Sequence, residues 1–595
     1  MLKFGKFVAK NRISILIVAL LLLIPAVIGY KATRINYDIL SYLPSDLDTV
    51  RGENILKDDF NMGAFSVVIV KDMPTKDIQK LEEKYRQIDI VENVASITDV
   101  VGTSVPIEML PDDVKDKVYK NGETLILVTF STGISDDDTL AAIKQMQSMT
   151  DKQALFSGTS STIMDTRDLS DAEVIIYVSV AVILCFIILQ IALDSYVAPI
   201  FLLLNIGIAV LYNMGTNIFF GEISYITKAI SAVLQLGVTM DFSIFLYHSY
   251  AHQKEKYESN LDAMAHAIAE TSQSVMGGAL TTIAGFLALC SMDLTLGKDI
   301  GIVMAKGVLF GLISVLTVLP SLLLIFDSLI KKTMHKPLLP KFAHLKNFII
   351  KHHIAMIVAF IIILPFAVWG YNNTTVYYNV HKTLPDTLTS IQANKELKNT
   401  FGMTSTNMLL VDKNMSDKTV NQMLQEIENL DGINTTIAYA KIANEANIPE
   451  EIIPDNIKEI FKSDRYQMIL ISSGYEMATT EANKQVEEIN EIIKKYDENA
   501  IFAGEEALMT DLVKIADHDF NSVNVISIGV ILIIMIFVLR SVSLPVILTL
   551  VIEFAIFINM GIPAYTRNRI SICNINSYRY NSIRCNNWLW NFNNN

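Results

Sequence analysis

The sequence predicts a polytopic α-helical membrane protein that carries two α+β modules outside the membrane and is built as a pseudo-twofold repeat. Three observations predict this class. The 595 residues are 51% hydrophobic and only 18% charged, and the mean hydropathy is +0.37, whereas soluble domains carry about 25% charged residues. The apolar residues fall in blocks of about 18 or more, the length that crosses a bilayer as a helix. Two long polar stretches separate these blocks, and their sequence patterns match.

The composition also excludes several classes of protein. The net charge is −14, so nucleic acid is not expected as a partner, because its phosphates would be repelled. Four cysteines are too few for a disulfide framework. The sequence shows no metal-ligand spacing, phosphate-binding loop or Ser-His-Asp grouping. We therefore expect no cofactor, no resident metal and no enzymatic activity.

The apolar blocks predict nine spans. The first follows Lys3, Lys6, Lys10 and Arg12, which predicts a cytoplasmic N-terminus by the positive-inside rule. Six spans return the chain to the cytoplasm, where a basic linker follows. Both polar stretches then lie outside the bacterial plasma membrane. The predicted segments are the N-terminus with span 1 (1–30), the first porter-like module (31–170), spans 2–6 (171–327), the linker (328–352), span 7 (353–370), the second module (371–518), spans 8–9 (519–565) and an aberrant tail (566–595).

Each polar stretch alternates short strands with amphipathic helices. The first contains the strand-like segments SVVIVKDM, ETLILVTFS and ALFSGTS and the helix-like segment TKDIQKLEEKYRQI, and the second stretch follows the same order. This alternation predicts one ferredoxin-like, split βαβ module in each stretch.

The two halves of the chain are also related in sequence. Tyr37–Met62 matches Tyr378–Met403 without a gap, 341 residues apart, with a shared Leu-Pro pair and a closing Phe-x-Met. Nearer the membrane the separation becomes 346, and Asn213-Met214-Gly215 aligns with Asn559-Met560-Gly561. Halves of one topology imply an axis along the membrane normal, a layout typical of transporters. A duplication that builds only a scaffold is the alternative.

The spans that follow the first module resemble a known family. The motifs are LQLGVTMDFSIFLYHSY in span 4, SVMGGALTTIAGFLAL in span 5 and GKDIGIVMAKGVLFGLISVLTVLPSLLL in span 6. Together with the repeated layout of one span, one module and a span cluster, they resemble the resistance-nodulation-division (RND) superfamily in its MMPL-type branch. The likeness covers about residues 1–565. It implies an exporter of lipids, drugs or other amphiphiles that uses the proton gradient.

Asp241, within LQLGVTMDFSIF, is the strongest candidate for a proton-carrying group. A charge in the middle of a membrane helix costs about 3 kcal/mol or more, so an acid there indicates function. In the family that the chain resembles, this position belongs to an Asp-Tyr pair of the proton relay. Here Phe242 follows, so the partner hydroxyl is missing. A structural carboxyl held by a hydroxyl or amine of a neighbouring helix is the alternative.

Four further residues are candidates for the relay, and five glycines for helix packing. Lys306 in span 6 is the candidate counter-charge of Asp241. Thr281 and Thr282 in span 5 offer hydroxyls, although threonine in a membrane helix often bonds its own backbone. Glu553 in span 9 is an acid that the first half lacks at the equivalent position. The glycines that would let helices approach closely are Gly277, Gly278, Gly285, Gly307 and Gly311.

These features favour a proton-coupled secondary active exporter of hydrophobic or amphiphilic molecules. Spans 2–6 also resemble a sterol-sensing domain, which implies a lipid sensor or regulator, and an accessory factor for protein export is a third interpretation. Asp241 argues against the sensor, because a sensor needs no buried acid. The expected partners are the lipid bilayer, protons, the cargo and other copies of the chain in a homo-oligomer.

The last thirty residues depart from the repeat. From Thr566 the chain reads TRNRISICNINSYRYNSIRCNNWLWNFNNN, with ten Asn and four Arg. A shift of one base makes the codons of Ser582–Asn593 compatible with QFGATIGYGILI, which aligns with Gln235–Leu246. This pattern predicts that residues from about 566 onward are an out-of-frame translation. It also predicts that the product is a defective fragment without spans 10–12, and that the second half would carry Gly at the counterpart of Asp241.

Overall fold

The computed structural model describes residues 1–38, 40–98, 118–150, 153–336, 343–374, 376–377, 384–441, 455–566 and 570–571. The chain forms two compact units. The first unit comprises residues 1–36, 171–377 and 518–595, and the second comprises residues 37–170 and 378–517. The chain enters the second unit at Tyr37 and again at Tyr378, the residues that open the matched repeat segments.

The elements of the first half follow one another in an order that the second half repeats. In chain order they are α1 (Leu2–Lys10), α2 (Arg12–Ala32), β1 (Arg34–Asn36), α3 (Asp48–Phe60), β2 (Ala64–Lys71), α4 (Thr75–Tyr85), β3 (Val91–Ser96), β4 (Tyr119–Lys120), β5 (Glu123–Phe130), α5 (Asp137–Thr150), β6 (Ala154–Ser157), α6 (Thr159–Ala192), α7 (Ala198–Gly215), β7 (Glu222–Ser224), α8 (Tyr225–Lys254), α9 (Asn260–Ala288), α10 (Thr295–Ile325) and α11 (Asp327–Lys332).

The second half begins with a short helix and another long apolar one. Its elements are α12 (Ala343–Lys351), α13 (His353–Asn372), β8 (Val376–Tyr377), α14 (Thr389–Phe401), β9 (Ser405–Asp412), α15 (Asp417–Glu428), β10 (Ile433–Ala438), α16 (Asp455–Phe461), β11 (Tyr466–Ser473), α17 (Thr480–Tyr496), β12 (Ile501–Gly504), α18 (Glu505–Leu539), α19 (Ser543–Thr566) and β13 (Ile570–Ser571).

The first unit is built from long apolar helices. Among the described residues, nine helices are long and apolar enough to cross a membrane: α2, α6, α7, α8, α9, α10, α13, α18 and α19. The prediction of a polytopic helical membrane protein is confirmed. Two of these helices, α6 and α18, begin within the second unit's residues directly after strands β6 and β12.

Glycines bring α2 and α7 into backbone contact in the first unit. A Cβ atom on Gly29 would lie 2.1 Å from the carbonyl oxygen of Gly215. A Cβ atom on Gly215 would lie 2.2 Å from that of Ala26. Neither position accepts a side chain without moving a backbone. These two glycines therefore allow the backbones of α2 and α7 to come into contact. They are not among the five glycines that the sequence predicts for helix packing.

Two parallel strand pairs show how far the repeat extends. β1 pairs with β7, with Arg34 opposite Glu222, and β8 pairs with β13, with Val376 opposite Ile570. The Ile-Ser sequence of β7 recurs in β13, 347 residues later. The two halves therefore correspond as far as Ser571.

The second unit contains two sheets of the same topology. The first has the strand order β3-β5-β2-β6, with β4 added to β5, and the second has the order β10-β11-β9-β12. All neighbours are antiparallel. In each sheet the first and third long strands are central, as in a ferredoxin-like split βαβ fold. The predicted fold class of the modules is confirmed.

The helix that precedes each module packs on the sheet of the other module. On α3, a Cβ atom at Gly52 would lie 2.5 Å from the Cβ of Ala503 in β12. On α14, Leu397 packs against Ile69 and Leu125 of the first sheet. The helices α3 and α14 are the segments matched in the sequence repeat. The two modules thus exchange equivalent helices and share a hydrophobic core.

Some predicted segments fall partly outside the described residues. They include residues 337–342 of the basic linker and residues 567–569 and 572–595 of the tail. The out-of-frame origin of the tail therefore stays a prediction.

Candidate functional site

Three helices of the first unit, α7, α8 and α10, enclose a column of polar side chains. Its buried members are Asn205, Asn213, Asn217, Gln235 and Thr239, none of which exposes any surface. Lipid offers no hydrogen bonds, so polar groups between membrane helices need partners within the protein or water. The contacts of this polar column are therefore informative about its role.

Asp299 lies where the polar column meets the start of α8. Its carboxylate accepts hydrogen bonds from the backbone N–H of Ser224 (2.8 Å) and the hydroxyl of Thr227 (2.6 Å). An acid at this place satisfies N–H groups that the first turn of a helix leaves free and interacts favourably with the helix dipole. Asp299 therefore has a capping role.

Lys306 occupies the next level of the polar column, two turns further along α10. Its ammonium group donates to the carbonyl oxygen of Asn213 (3.0 Å) and to Oδ1 of Asn217 (2.5 Å). The same Nζ atom lies 5.0 Å from the centre of the Phe220 ring, which adds a cation–π contact. Neutral oxygens and an aromatic face thus hold this charge at the end of α7.

The hydrogen bonds of Lys306 lead to Asn213 and Asn217, and its role as the counter-charge of Asp241 stays a prediction. Gly311 of α10 lies beside Thr239 of α8, so Asp241 is level with a residue just beyond Gly311. At 1.5 Å per helical residue, Lys306 lies roughly 10 Å nearer the start of α10 than the level of Asp241. Lys306 is therefore about two helical turns from the level of Asp241, and its ammonium group lies at the polar end of α7.

The middle of the polar column depends on two of the predicted packing glycines. Asn213 donates through Nδ2 to Oε1 of Gln235 (2.9 Å), and Gln235 donates through Nε2 to the carbonyl oxygen of Gly307 (3.0 Å). A Cβ atom on Gly307 would lie 2.6 Å from Nδ2 of Asn213, and one on Gly311 2.5 Å from Oγ1 of Thr239. Both glycines therefore make room for polar side chains of the neighbouring helices.

The polar column continues toward the end of α10. Ser314 donates to Oδ1 of Asn205 (2.6 Å), and both residues are buried. Further along, Tyr247 donates to Asp194 (2.6 Å). Buried polar contacts therefore extend along most of the length of α8.

Asp327, just beyond α10, closes this end of the bundle. It accepts hydrogen bonds from Tyr250 (3.2 Å) and Lys254 (2.5 Å) and forms an ion pair with Lys331 (3.1 Å). Burial alone would raise the pKa of Asp327, but the hydrogen bonds from the two lysines outweigh burial and hold the pKa below its ordinary value. The Asp327 carboxylate therefore links α11 to α8 through hydrogen bonds and ion pairs.

Several atoms of the polar column have no hydrogen-bond partner among the described residues. They are Nδ2 of Asn205, Oδ1 of Asn213, Nδ2 of Asn217 and Oγ1 of Thr239. A buried polar atom without a partner costs about 1–3 kcal/mol. Four such atoms in one column are therefore places where water would be stabilised, given room for it.

Asp241 itself lies on another face of α8. It is two residues from Thr239, which corresponds to about 200° around the helix, and it is half-buried. The adjacent Phe242 points toward α9, where its ring edge lies 3.7 Å from the position of a Cβ atom on Gly278. An aromatic ring thus packs where the family that the chain resembles would carry a tyrosine hydroxyl.

The hydroxyls of the two candidate threonines bond to their own helix. Thr281 and Thr282 each donate to the carbonyl oxygen of Gly278 at 2.9 Å, which is the alternative considered for them. Glu553 is half-buried in α19, a helix that packs through Ile552 and Ile556 in a separate hydrophobic cluster. The structure does not place Glu553 in the polar column.

The remaining candidate glycines lie on α9. A Cβ atom on Gly277 would lie 3.2 Å from Cγ1 of Val538 in α18, whereas Gly278 leaves ordinary van der Waals room. Gly285 is buried within α9. Gly277 thus approaches a neighbouring helix more tightly than Gly278 does.

One group of side chains in the first unit has the composition of a metal site. Ligand atoms of Asp293, His518 and Asp519 lie within 4.8 Å of one another. The buried Asp519 carboxylate, however, accepts the backbone N–H groups of Asp293 and Leu294, both at 2.9 Å. This capping of α10 from α18 accounts for Asp519 without a metal.

Sequence reasoning missed the uncharged members of the polar column. Asn213 and Asn217, and likewise Gln235 and Thr239, are four residues apart and therefore share a helix face. This four-residue spacing of amide and hydroxyl side chains inside apolar spans is the sequence pattern that could have predicted the polar column.

Comparisons with known proteins agree with the repeated architecture. A model of the MMPL family matches residues 41–337 and 382–580. A membrane protein of Methanocaldococcus jannaschii is 24% identical over 350 residues, which cover 52% of this chain and 90% of that protein. The apo-petrobactin exporter of Bacillus anthracis is 20% identical over 322 residues, 52% of this chain and 42% of the exporter. The membrane protein ActII-3 of Streptomyces coelicolor is 36% identical over 100 residues, 17% of this chain and 14% of that protein.

Proposed function

Because this chain belongs to the MMPL family, we propose that it is a secondary active transporter that exports hydrophobic or amphiphilic molecules in exchange for protons. The distant likeness to an apo-petrobactin exporter supports the outward direction of transport. On this proposal the bundle lies in a bacterial plasma membrane, with the N-terminus in the cytoplasm and the start of α10 at the outer side.

The observation that carries the proposal is the carboxyl of Asp241 within α8, a helix whose other face carries the polar column. Asp241 binds and releases the proton, because it is the single acid of α8 and lies near the middle of that helix. The unpartnered atoms of Asn213, Asn217 and Thr239 stabilise water between α7, α8 and α10. This water gives protons access to the interior of the bundle.

Lys306 has a different task in this proposal. Its charge is held by Asn213 and Asn217 at the end of α7, where it repels other cations and leaves the polar column to protons. Thr281 and Thr282 shape α9 through their bonds to Gly278. Glu553 acts outside this relay.

The test is transport in proteoliposomes with an imposed proton gradient, both by the 595-residue chain and by the product translated in the shifted frame, because the 595-residue chain is predicted to be defective. We expect Asp241→Asn to abolish gradient-driven flux, because an amide cannot carry the proton. Asp262→Asn is the matched control, since Asp262 is an exposed acid in the first turn of α9, and it should leave flux unchanged. Equal flux in the wild type and Asp241→Asn would overturn the relay.

The sensor and the protein-export factor are distinguished by the same assay. Specific binding of a lipid by the wild type, without any gradient-driven flux, would favour the sensor. Flux that requires a second protein would favour the accessory factor. Either result would replace the exporter as the proposed function.

A further inference from the structure

The short helix α1 lies directly before the membrane helix α2 and packs on α9. A Cβ atom on Gly5 would lie 2.5 Å from the carbonyl oxygen of Ala265, so the backbones of α1 and α9 touch there. Val8 and Ala9, which follow Gly5 by one helical turn, are buried as well. This contact fixes the rotation of α1 about its own axis and therefore decides which of its side chains face outward.

Two kinds of side chain occupy the outward part of α1. Phe4 and Phe7 are three residues apart, lie on one face and expose 38% and 60% of their surface. Lys3, Lys6 and Lys10 are exposed on an adjoining face. At about 100° per residue, the centres of the two faces are about 100° apart around the helix. The helix thus presents an apolar face beside a cationic face.

The protein does not neutralise this cationic face. In the described part of the chain, the three lysines form no ion pair with an acid. The neighbouring helix α9 has two acids, of which Asp262 is exposed and Glu270 accepts hydrogen bonds from Ser249 (2.8 Å) and Gln253 (2.7 Å) of α8. Residues 1–37 contain no acid, and the segments of the first unit outside the described residues contain none either. A partner for these charges must therefore come from outside the first unit.

The position of the lysines along the chain places them at the edge of the membrane. The helix α2 has 21 residues, about the number that crosses the hydrocarbon core, and Asn11 alone separates it from α1. At about 1.5 Å per residue, Lys10 lies within roughly 3 Å of the start of α2, and Lys3 within roughly 14 Å. The headgroup region is about 5–8 Å thick on each side, and a charge acts over about 10 Å at 0.1 M salt. Lipid phosphates are therefore within reach of all three lysines.

The second half of the chain carries a counterpart of α1. The helix α12 lies directly before α13, as α1 lies before α2. The 341-residue separation of the sequence repeat makes Phe348 equivalent to Phe7 and Lys351 equivalent to Lys10. Both of these residues of α12 are exposed. An exposed aromatic ring and a lysine directly before a membrane helix thus belong to both halves.

A signal for membrane topology is the alternative explanation of these charges. The positive-inside rule requires only lysine and arginine beside a span. It accounts neither for two exposed phenylalanines on one face nor for the backbone contact between Gly5 and α9. Those two features are suited to a helix whose orientation at the membrane surface matters in the folded protein.

We propose that α1 binds anionic phospholipids of the leaflet in which α2 begins. The headgroup phosphates contact Lys3, Lys6 and Lys10, and the acyl chains lie beside Phe4 and Phe7. Amphipathic helices with lysine on one face and phenylalanine on another are attracted to anionic lipid in this way. Because α1 is packed on α9, bound lipid also stabilises the folded bundle. The inference goes beyond the proposed export function and does not depend on it.

The experiment compares two lipids that differ in headgroup charge. Binding of dioleoyl phosphatidylglycerol and of dioleoyl phosphatidylcholine to the full chain in detergent is measured from the rise of the thermal midpoint with lipid concentration. We expect phosphatidylglycerol to bind more tightly. Each lysine contributes about fivefold to this affinity. The triple variant Lys3→Gln, Lys6→Gln, Lys10→Gln should therefore bind phosphatidylglycerol about a hundredfold more weakly, whereas arginine at all three positions should retain the affinity.

A second triple variant is the matched control. Lys76, Lys80 and Lys84 are exposed and follow one face of α4 in the second unit. Glutamine at all three positions removes the same charge from a different helix and should leave phosphatidylglycerol binding unchanged. An equal loss of affinity in this control would show that the net charge alone decides binding, and would overturn the proposal.

Salt and the aromatic face provide two further readouts. In 1 M NaCl the screening length falls from about 10 Å to about 3 Å, so the preference for phosphatidylglycerol should disappear. Phe4→Ser combined with Phe7→Ser should weaken the binding of both lipids and keep the preference. Glycerol 3-phosphate, which has a phosphate but no acyl chain, should not compete with the lipid.

Three outcomes would each contradict the lipid surface. They are equal binding of the two lipids by the wild type, an unchanged preference in the triple glutamine variant of α1, and competition by glycerol 3-phosphate, which would indicate a site for a free phosphate. The assay requires no transport, so its outcome is separate from that of the proteoliposome experiment. Flux without any lipid preference would overturn the lipid surface and leave the exporter standing.

Discussion

Thr159 donates a hydrogen bond from its hydroxyl to the carboxylate of Glu505, and the two residues hold equivalent positions in the two repeats, 346 residues apart. Each is the first residue of a long membrane helix. Each also follows a glycine of nearly the same backbone conformation, with φ of +114° at Gly158 and +113° at Gly504, which only glycine adopts readily. The pseudo-twofold relation thus passes through this contact, where α6 and α18 begin.

The first prediction concerns the separation of Lys306 from Asp241. A double-mutant cycle with Asp241→Asn and Lys306→Met should give additive changes in the free energy of unfolding, within about 0.5 kcal/mol, because Lys306 bonds to Asn213 and Asn217 and lies roughly 10 Å along α10 from the level of Asp241. Lys306→Met alone should cost about 1–3 kcal/mol, since it leaves Asn217 Oδ1 buried without its donor. Thermal unfolding in detergent measures both. A coupling energy above about 1 kcal/mol would support Lys306 as the counter-charge of Asp241.

A second prediction tests the close contact of α10 with the polar column. Gly311→Ala should destabilise the bundle by about 1–3 kcal/mol, because the new methyl group would lie 2.5 Å from Oγ1 of Thr239. Gly207→Ala in α7 is the matched control, since nothing lies within 4 Å of its Cβ position. Alanine there should be neutral or stabilising by up to about 1 kcal/mol. The two thermal midpoints are compared in the same detergent, and equal midpoints would contradict the packing role.

The fold was largely predictable from sequence, and the candidate site was less so. Apolar blocks and alternating strands report on burial, which is a local property, so the membrane helices and the ferredoxin-like modules could be predicted. The exchange of α3 and α14 could not be predicted, because amphipathic helices show which face is buried but not which sheet covers it.

The pairing of Lys306 with Asn213 and Asn217 depends on the register of α7 against α10. No local pattern encodes that register.

The helix exchange leads to a third prediction. Leu397→Ala in α14 should cost about 2–5 kcal/mol, the usual loss for a buried leucine. Because Leu397 packs on Ile69 and Leu125, hydrogen exchange should accelerate in β2 and β5 of the other module. Lys395→Ala, at an exposed position of the same helix, should change neither quantity. Faster exchange confined to β9 and β11 would show that each module is stabilised by its own helix.

The tail carries a fourth prediction, about the gene. The pairing of β13 with β8 and the shared Ile-Ser sequence keep the repeat in register to Ser571, which is later than the onset near residue 566 inferred from sequence alone. We predict a one-base shift between the codons of Ser571 and Ser582. Resequencing of the gene should reveal that base, and translation in the shifted frame should continue the match to Gln235–Leu246. A confirmed sequence with no such continuation would show that the tail is authentic.

The last prediction follows from the protonation of Glu53. Its pKa is about 8 in the folded protein because burial disfavours the charged form, and about 4.5 is the ordinary value of such a carboxyl. Between these two pH values the folded chain binds the proton and the unfolded chain does not. Unfolding therefore releases a proton, and a rise in pH through this interval favours unfolding.

The thermal midpoint of the second unit should consequently decrease as the pH is raised from 5 to 8. This midpoint is measured on the full chain as the temperature at which proteolysis begins within residues 37–170 and 378–517. Glu53→Gln removes the titrating group and should flatten this fall. Part of the slope below about pH 6 should remain, since the pKa of Asp38 is raised to about 6 by burial. Asp58→Asn should retain the full wild-type slope, because Asp58 is exposed. The same slope in wild type and Glu53→Gln would mean that Glu53 is ionised throughout this pH range.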